Sequence, residues 1–169
     1  MNRFVDQLQE QRLVLSNLAR DLHSDGRLSV EDVQRMGDAT ALRVHPLVYL
    51  AEQGLEDKSR LGHILDMDSL LHWLGERVDQ PFYRIDPLKI DVTAISEVMS
   101  KAFAERHRIL AVEVHDDEVV IASCEPYVNA WEKNLEHVLR KPIRRVLADP
   151  REITRLTGEF YSMAVSVRG

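Results

Sequence analysis

The side chains able to do chemistry in this 169-residue chain are seven histidines, one cysteine and a large set of carboxylates, and their spacing limits what they can do. A helical zinc pair needs two histidines four residues apart with a carboxylate close by. His23, His45, His63, His72, His107, His115 and His137 contain no such pair; His63 and His72 come nearest and straddle a helix start. They read as solvated or singly hydrogen-bonded groups, and no metal ligand is assigned. Cys124 lies in an apolar run, which predicts a small core residue. A lone cysteine also excludes an internal disulfide and a cysteine-based zinc cage. A phosphate-binding loop needs clustered glycines followed by lysine. The glycines at 26, 37, 54, 62, 75, 158 and 169 are scattered and none precedes a lysine. "HDDE" (115–118) reads as a turn, and "EDVQ" (31–34) as a helix first turn whose negative charge favours the macrodipole. No serine sits in a glycine-flanked elbow. No catalytic residue is assigned, and the chain reads as a binding module.

One cluster stands out by charge. "RKPIRRVLADPREITR" carries Arg140, Lys141, Arg144, Arg145, Arg151 and Arg155 against Asp149 and Glu152, in a protein whose formal net charge is −6. Such a strip either lies solvated around a strand end or steers a partner. The acidity is concentrated in residues 1–80, with 9 basic and 14 acidic residues, whereas residues 81–169 hold 13 and 14. That balance argues against nucleic acid as a partner, because phosphate neutralisation needs clustered cations. No 18-residue apolar window exists, and "MNRFVDQLQEQRL" is too polar for a signal peptide, so a cytoplasmic protein without direct membrane insertion is expected.

The elements that must position these groups fall into two styles. Residues 1–80 read as an all-helical subdomain. "FVDQLQEQRLVLSNLARDL" gathers Phe4, Leu8, Leu15, Leu18 and Leu22 on one helical face. Gly26 ends that helix and Ser29 caps the next. Pro46 opens a third helix that Gly54 stops, and "DMDSLLHWLGERVDQP" is a fourth with Leu70, Leu71, Trp73 and Leu74 inside. Residues 81–169 read as a βαββαβα subdomain of α/β sandwich type. Its elements are an edge strand "QPFYRID", a helix "VTAISEVMSKAFAERH", a hairpin of "ILAVEV" and "EVVIAS", a helix "VNAWEKNLEHVLRK", a strand "IRRVLA" and a last helix capped by Asp149 with Pro150 at its first position. The expected class is α+β, with helices on one face of a small, mostly antiparallel sheet in the split βαβ order.

The ordered series "LGERVDQPFYRIDPLKIDVTAISEVMSKAFAERHRILAV", "VVIASCEPY" and "PIRRVLADPREITR" resembles the N-terminal domain of the GspE/PilB family, the hexameric ATPases of type II secretion and type IV pilus assembly. The resemblance runs from about residue 60 to 165 and is weaker before that. It implies a non-catalytic docking and regulatory domain that binds the cytoplasmic part of an inner-membrane assembly protein. It further implies a peripheral place at the inner membrane through that partner, contact with the ATPase domain of its own chain, and ATP and Mg held by that absent domain. On this reading the ending "SVRG" is a boundary inside a longer chain. Some members also bind cyclic di-GMP through two tandem copies of a motif like R-L-G-x-x-L-x-x-x-G-x-[LI]-[ST]-x-x-x-L. "NLARDLHSDGRLSVEDV" keeps Leu18, Leu22, Gly26, Leu28 and Ser29 but has Asn17 and Ala19 in place of arginine and glycine. "RLGHILDMDSLLHWL" keeps Arg60, Leu61, Gly62 and Leu65 but lacks the following glycine segment. The resemblance therefore makes Arg60, Leu61, Gly62 and Leu65 the candidate dinucleotide contacts, since arginine offers a planar fork and glycine admits close backbone approach.

Overall fold

The computed structural model describes residues 11–36 and 42–168. Among these residues four helices come first: α1 (Leu15–Ser24), α2 (Val30–Met36), α3 (Pro46–Glu52) and α4 (Met67–Val78). The run expected as a single helix is broken among the described residues. Residues 11–14 are not helical, and Val14 is extended at the N-cap. Leu13 donates its N–H to Glu125 Oε1 at 2.7 Å, which ties this segment to the far half of the chain instead of to a helical turn. Phe4 and Leu8 lie outside the described residues, while Leu15, Leu18 and Leu22 are buried as the stripe requires. Gly26 takes φ +74 after α1, the left-handed conformation that suits glycine. Ser29 Oγ accepts the Asp32 N–H at 3.1 Å, capping α2.

The second half runs α5 (Val92–Ser96), α6 (Lys101–His107), β1 (Ile109–Val114), β2 (Val119–Ser123), α7 (Glu132–Leu139), β3 (Ile143–Leu147) and α8 (Pro150–Arg168). The single helix expected over 92–107 is two. Ser100 adopts extended backbone and its side chain accepts the Phe103 N–H, so a fresh N-cap interrupts the run. The expected edge strand at 81–86 is reduced to one parallel bridge between Phe82 and Leu147. Tyr83 N–H donates to Leu147 O at 2.7 Å and Leu147 N–H to Pro81 O at 2.9 Å. Pro81 has no N–H to extend the ladder, and Asp86 turns the chain into a short 3₁₀ turn at Pro87–Lys89.

The α+β class stands, and the sheet within it is mixed. Its order is β1-β2-β3, with β1 and β2 antiparallel and β2 and β3 parallel. The parallel pair follows from α7, which carries the chain back so that β3 enters the sheet from the same end as β2. The split βαβ arrangement is not the observed one, because the first predicted strand sits beyond β3 and barely pairs. Helices also flank both faces. Along β3, alternation sends Val146 to a core shared with α5, α6 and α8, while Leu147 packs with the four N-terminal helices.

Two hydrophobic clusters therefore meet at one strand. The first gathers Leu22, Leu47, Leu50, Leu65, Leu70 and Leu74. The second gathers Ile109, Leu110, Ile121, Trp131, Leu156 and Phe160. Gly75 fixes the joint between them, since a Cβ there would lie 2.6 Å from Gln80 O and 3.3 Å from Phe82 N. No helix among the described residues is long and apolar enough to cross a membrane.

Candidate functional site

The six basic residues of the strip do not share one surface role. Arg145 points from the middle of β3 to the inside: its side chain is 8% exposed. Its guanidinium stacks 4.8 Å from the Trp131 ring centroid and donates to Ser123 Oγ and Glu125 O, both at 3.1 Å. Burial pushes its pKa below the usual arginine value, and Glu132, 3.9 Å away, opposes that shift. Arg145 is a fold residue. Arg140, Lys141 and Arg144 gather at the start of β3 beside the acidic hairpin turn. Arg140 ends α7 in a left-handed conformation, Lys141 donates to His115 O at 2.8 Å, and Arg144 donates to Glu118 at 2.7 Å.

Arg151 and Arg155 stand at the other end of β3, on the first turns of α8. Arg151 forms a two-pronged pair with Asp149, at 3.1 and 2.9 Å. Arg155 meets Glu152 at 2.5 Å and Glu159 at 3.1 Å. Both line an open groove of about 620 Å³ formed by α3, α6 and α8. Its apolar floor includes Val48, Ala104 and Ile153, all buried. Cys124 also lines it, but burial raises the thiol pKa to about 12, so it is no nucleophile at neutral pH.

Two residues that sequence spacing did not single out complete the groove. His45 Nδ1 accepts the Leu47 N–H at 3.1 Å and so caps α3, which leaves the proton of the neutral ring on Nε2. That nitrogen is buried in a side chain 7% exposed and lies 3.3 Å from Glu125 Oε2, yet out of line for a hydrogen bond. Arg108 follows α6 with φ +52, a left-handed conformation rare outside glycine, and its guanidinium has no ion pair or hydrogen bond among the described residues. The helix that Ser100 caps brings Arg108 to the groove, a placement the apolar period of the sequence does not reveal.

The second candidate set occupies the loop between α3 and α4. Leu55 O accepts the Leu65 N–H at 2.8 Å and Glu56 bridges Ile64, so residues 55–65 form a narrow loop closed at its base. Leu65 is fully buried below it. Gly62 takes φ +80, and Leu61 is 89% exposed at the tip beside Arg60. Asp57, 1% exposed, holds the loop: its carboxylate accepts from Ser59 N–H at 2.9 Å, Ser59 Oγ at 2.6 Å and Arg27 Nη1 at 3.0 Å. Burial alone would raise its pKa, but the Ser59 hydrogen bonds and Arg27 outweigh it and hold it below the ordinary value. Lys58 N–H also donates to Arg27 O at 3.0 Å.

The structure thus brings the two imperfect motif copies into contact, since Trp73 Nε1–H of the second donates to Asp25 of the first at 2.7 Å, and Arg27 of the first holds Asp57 and Lys58 just ahead of the second. It does not merge their leading residues. Asn17 lines a separate groove of about 810 Å³ with Arg12, Arg20 and Tyr127, which Arg60, Leu61 and Gly62 do not line. Ala19 is buried inside α1, where it packs against the core instead of opening the backbone to a ligand. Among the described residues no group of three His, Cys, Asp or Glu is placed to hold a metal.

A helical domain packed on a small mixed sheet is the architecture of the N-terminal domains of secretion and pilus ATPases. The model of the MshEN domain matches residues 78–167, and the chain belongs to that family. It is 38% identical over 151 residues to the type IV pilus assembly ATPase TfpB of Acinetobacter baylyi. That match covers 86% of this chain and 26% of the relative, so the chain spans about a quarter of its length. Among solved structures, MshE with cdg superposes at TM-score 0.56 with 16% identity, covering 89% of this chain and all of that one. The N-terminal domain of XpsE superposes at 0.53 with 17% identity, covering 88% of this chain and 96% of that one. At these identities the two structures establish the shared fold.

Proposed function

We propose that this chain is the docking and regulatory domain of a pilus-assembly or secretion ATPase, binding the cytoplasmic domain of an inner-membrane assembly protein. The parent hydrolyses ATP with Mg in a domain outside this chain, and the protein sits in the cytoplasm, held at the inner membrane through its partner. The observation that carries this reading is the open apolar groove with Arg151 and Arg155 on its rim. It offers a floor to bury and charges to orient, the ingredients of a specific contact. Arg140, Lys141 and Arg144, at the opposite end of β3, add a second charged contact that steers the encounter. Residues 1–80 and 81–169 serve as two subdomains of one docking unit.

The test is titration of the partner's cytoplasmic domain into the full-length parent by surface plasmon resonance. Arg151→Glu with Arg155→Glu is expected to weaken binding at least tenfold. Unchanged affinity would move the interface away from α8. Arg145 is unsuited to this test, because its charge reversal would break the fold.

A second reading, sensing of cyclic di-GMP, draws on the exposed Arg60–Leu61–Gly62 tip and on MshE having been solved with that dinucleotide. Calorimetry at micromolar protein and dinucleotide decides it. Heat that disappears in Arg60→Ala supports sensing, and no heat from the native chain removes it.

A further inference from the structure

His45 serves two neighbours, and its protonation state decides which of them it can satisfy. With the ring neutral, Nδ1 accepts the Leu47 N–H at 3.1 Å and caps α3, while the proton sits on Nε2. Nε2 lies 3.3 Å from Glu125 Oε2, between side chains that are 7% and 13% exposed. A proton added at Nδ1 gives Glu125 a cation to pair with, but it turns the acceptor of the cap into a second donor. Leu47 is fully buried, so its N–H is left without an acceptor where that is costly. A cation at the start of α3 also opposes the helix dipole. Cap and ion pair therefore exclude each other.

The surrounding charges leave this conflict in place. Glu105 and Arg108 of α6 and Arg151 and Arg155 of α8 line the groove that His45 shares, and both arginines of α8 are held by carboxylates of their own helix or its cap. Burial keeps the Cys124 thiol protonated. Arg12 precedes Leu13, whose N–H occupies the other oxygen of Glu125. Among the described residues Glu125 is the only carboxylate close enough to pair with His45.

We propose that His45 is a proton switch at the joint between the two halves: on protonation it releases the α3 cap, pairs with Glu125 by charge and loosens the first turn of α3. That turn leads into Val48, part of the groove floor, so proton uptake reshapes the floor from below. The switch lies within the chain and does not depend on the docking reading, because neither ring nitrogen needs a bound partner.

The test is hydrogen–deuterium exchange of the full-length parent, read by mass spectrometry from about pH 8 to about pH 5, the span in which an imidazole changes charge, and corrected for the intrinsic pH dependence of amide exchange. The α3 amides are expected to exchange about tenfold faster at the acidic end, the size of a lost cap, in step with the titration of His45 followed by exchange at its Cε1–H. His45→Asn keeps an N-cap acceptor that does not titrate, so its α3 is expected to exchange at one corrected rate throughout. Glu125→Gln can still accept the Leu13 N–H but offers no charge, and it is expected to move the response to more acidic pH. A native α3 whose exchange stays flat while His45 titrates overturns the switch, as does a His45 that does not titrate over this span. The same acceleration in His45→Asn, or an unshifted response in Glu125→Gln, assigns the effect to other groups and overturns it too. Peptides from β2 separate local loosening from acid unfolding: acceleration of α3 and β2 together would be unfolding, and the switch would fall. Partner binding plays no part in these outcomes, so they are distinguishable from the failure of docking.

Discussion

The helical half and the sheet half each bury a charge, and they use it in opposite ways. In the sheet half Arg145 projects from a central position of β3 onto Trp131 and donates to Ser123 and the Glu125 carbonyl, so its hydrogen bonds belong to permanent secondary structure. In the helical half Asp57 sits in a loop and holds that loop to Arg27. One charge specifies a core and the other fixes a handle. A buried charge costs several kcal/mol to desolvate, so each persists only while its partners stay in place. Breaking the first should spread through the sheet, and breaking the second should stay local.

The largest contrast is expected between adjacent residues of one strand. Arg145→Glu should destabilise by about 4 kcal/mol, because it buries an unpaired carboxylate against Glu132. Arg144→Glu, at a half-exposed pair with Glu118, should cost less than about 1 kcal/mol. Urea denaturation of the two variants measures the difference, and equal losses would mean that Arg145 is no fold residue. Next in size is the joint between the halves. Gly75→Ala places a Cβ against the Gln80 carbonyl, and the backbone there must move, at about 3 kcal/mol. Two resolved unfolding transitions in that variant would show that the halves fold as separate units once their joint is loosened.

Asp57→Asn should cost about 2 kcal/mol, less than a fully buried pair because Arg27 stays partly exposed. Its pKa is depressed in the folded chain, so the stability it adds is complete above the ordinary carboxylate value, near about 4, and is lost as pH falls through the lower folded value. Melting curves at pH 7 and pH 3 should therefore differ less for Asp57→Asn than for the native chain. An identical acid sensitivity would show that Asp57 is not the acid-labile link.

The same contrast explains which features are legible in the sequence. The hairpin, the cap at Ser29, the Pro46 helix start and the Asp149–Pro150 opening of α8 were legible because each rests on neighbours in sequence. The role of Arg145 was not: "IRRV" makes it one of two adjacent arginines, and only the pairing of β3 with β2 decides which points inside. The break at Ser100 was hidden by an apolar period that runs through it. His45 and Arg108 escaped notice because neither belongs to a chemical motif, and they come together only when α3 is laid beside α6.

The smallest expected effect on stability is at the tip of the loop, and it sharpens the comparison most. Leu61 is 89% exposed, so Leu61→Ser removes almost no buried surface and should shift stability by less than about 0.5 kcal/mol. An apolar side chain held in water by a loop whose base is pinned at Asp57 contributes nothing to folding, and its place at the tip suits contact with something outside the chain. If Leu61→Ser leaves the melting temperature unchanged but weakens binding of either the partner or cyclic di-GMP, the loop is a recognition element held ready by Asp57 and Arg27. If it lowers the melting temperature by several degrees, Leu61 packs within the chain in solution, and the loop belongs to the helical core after all.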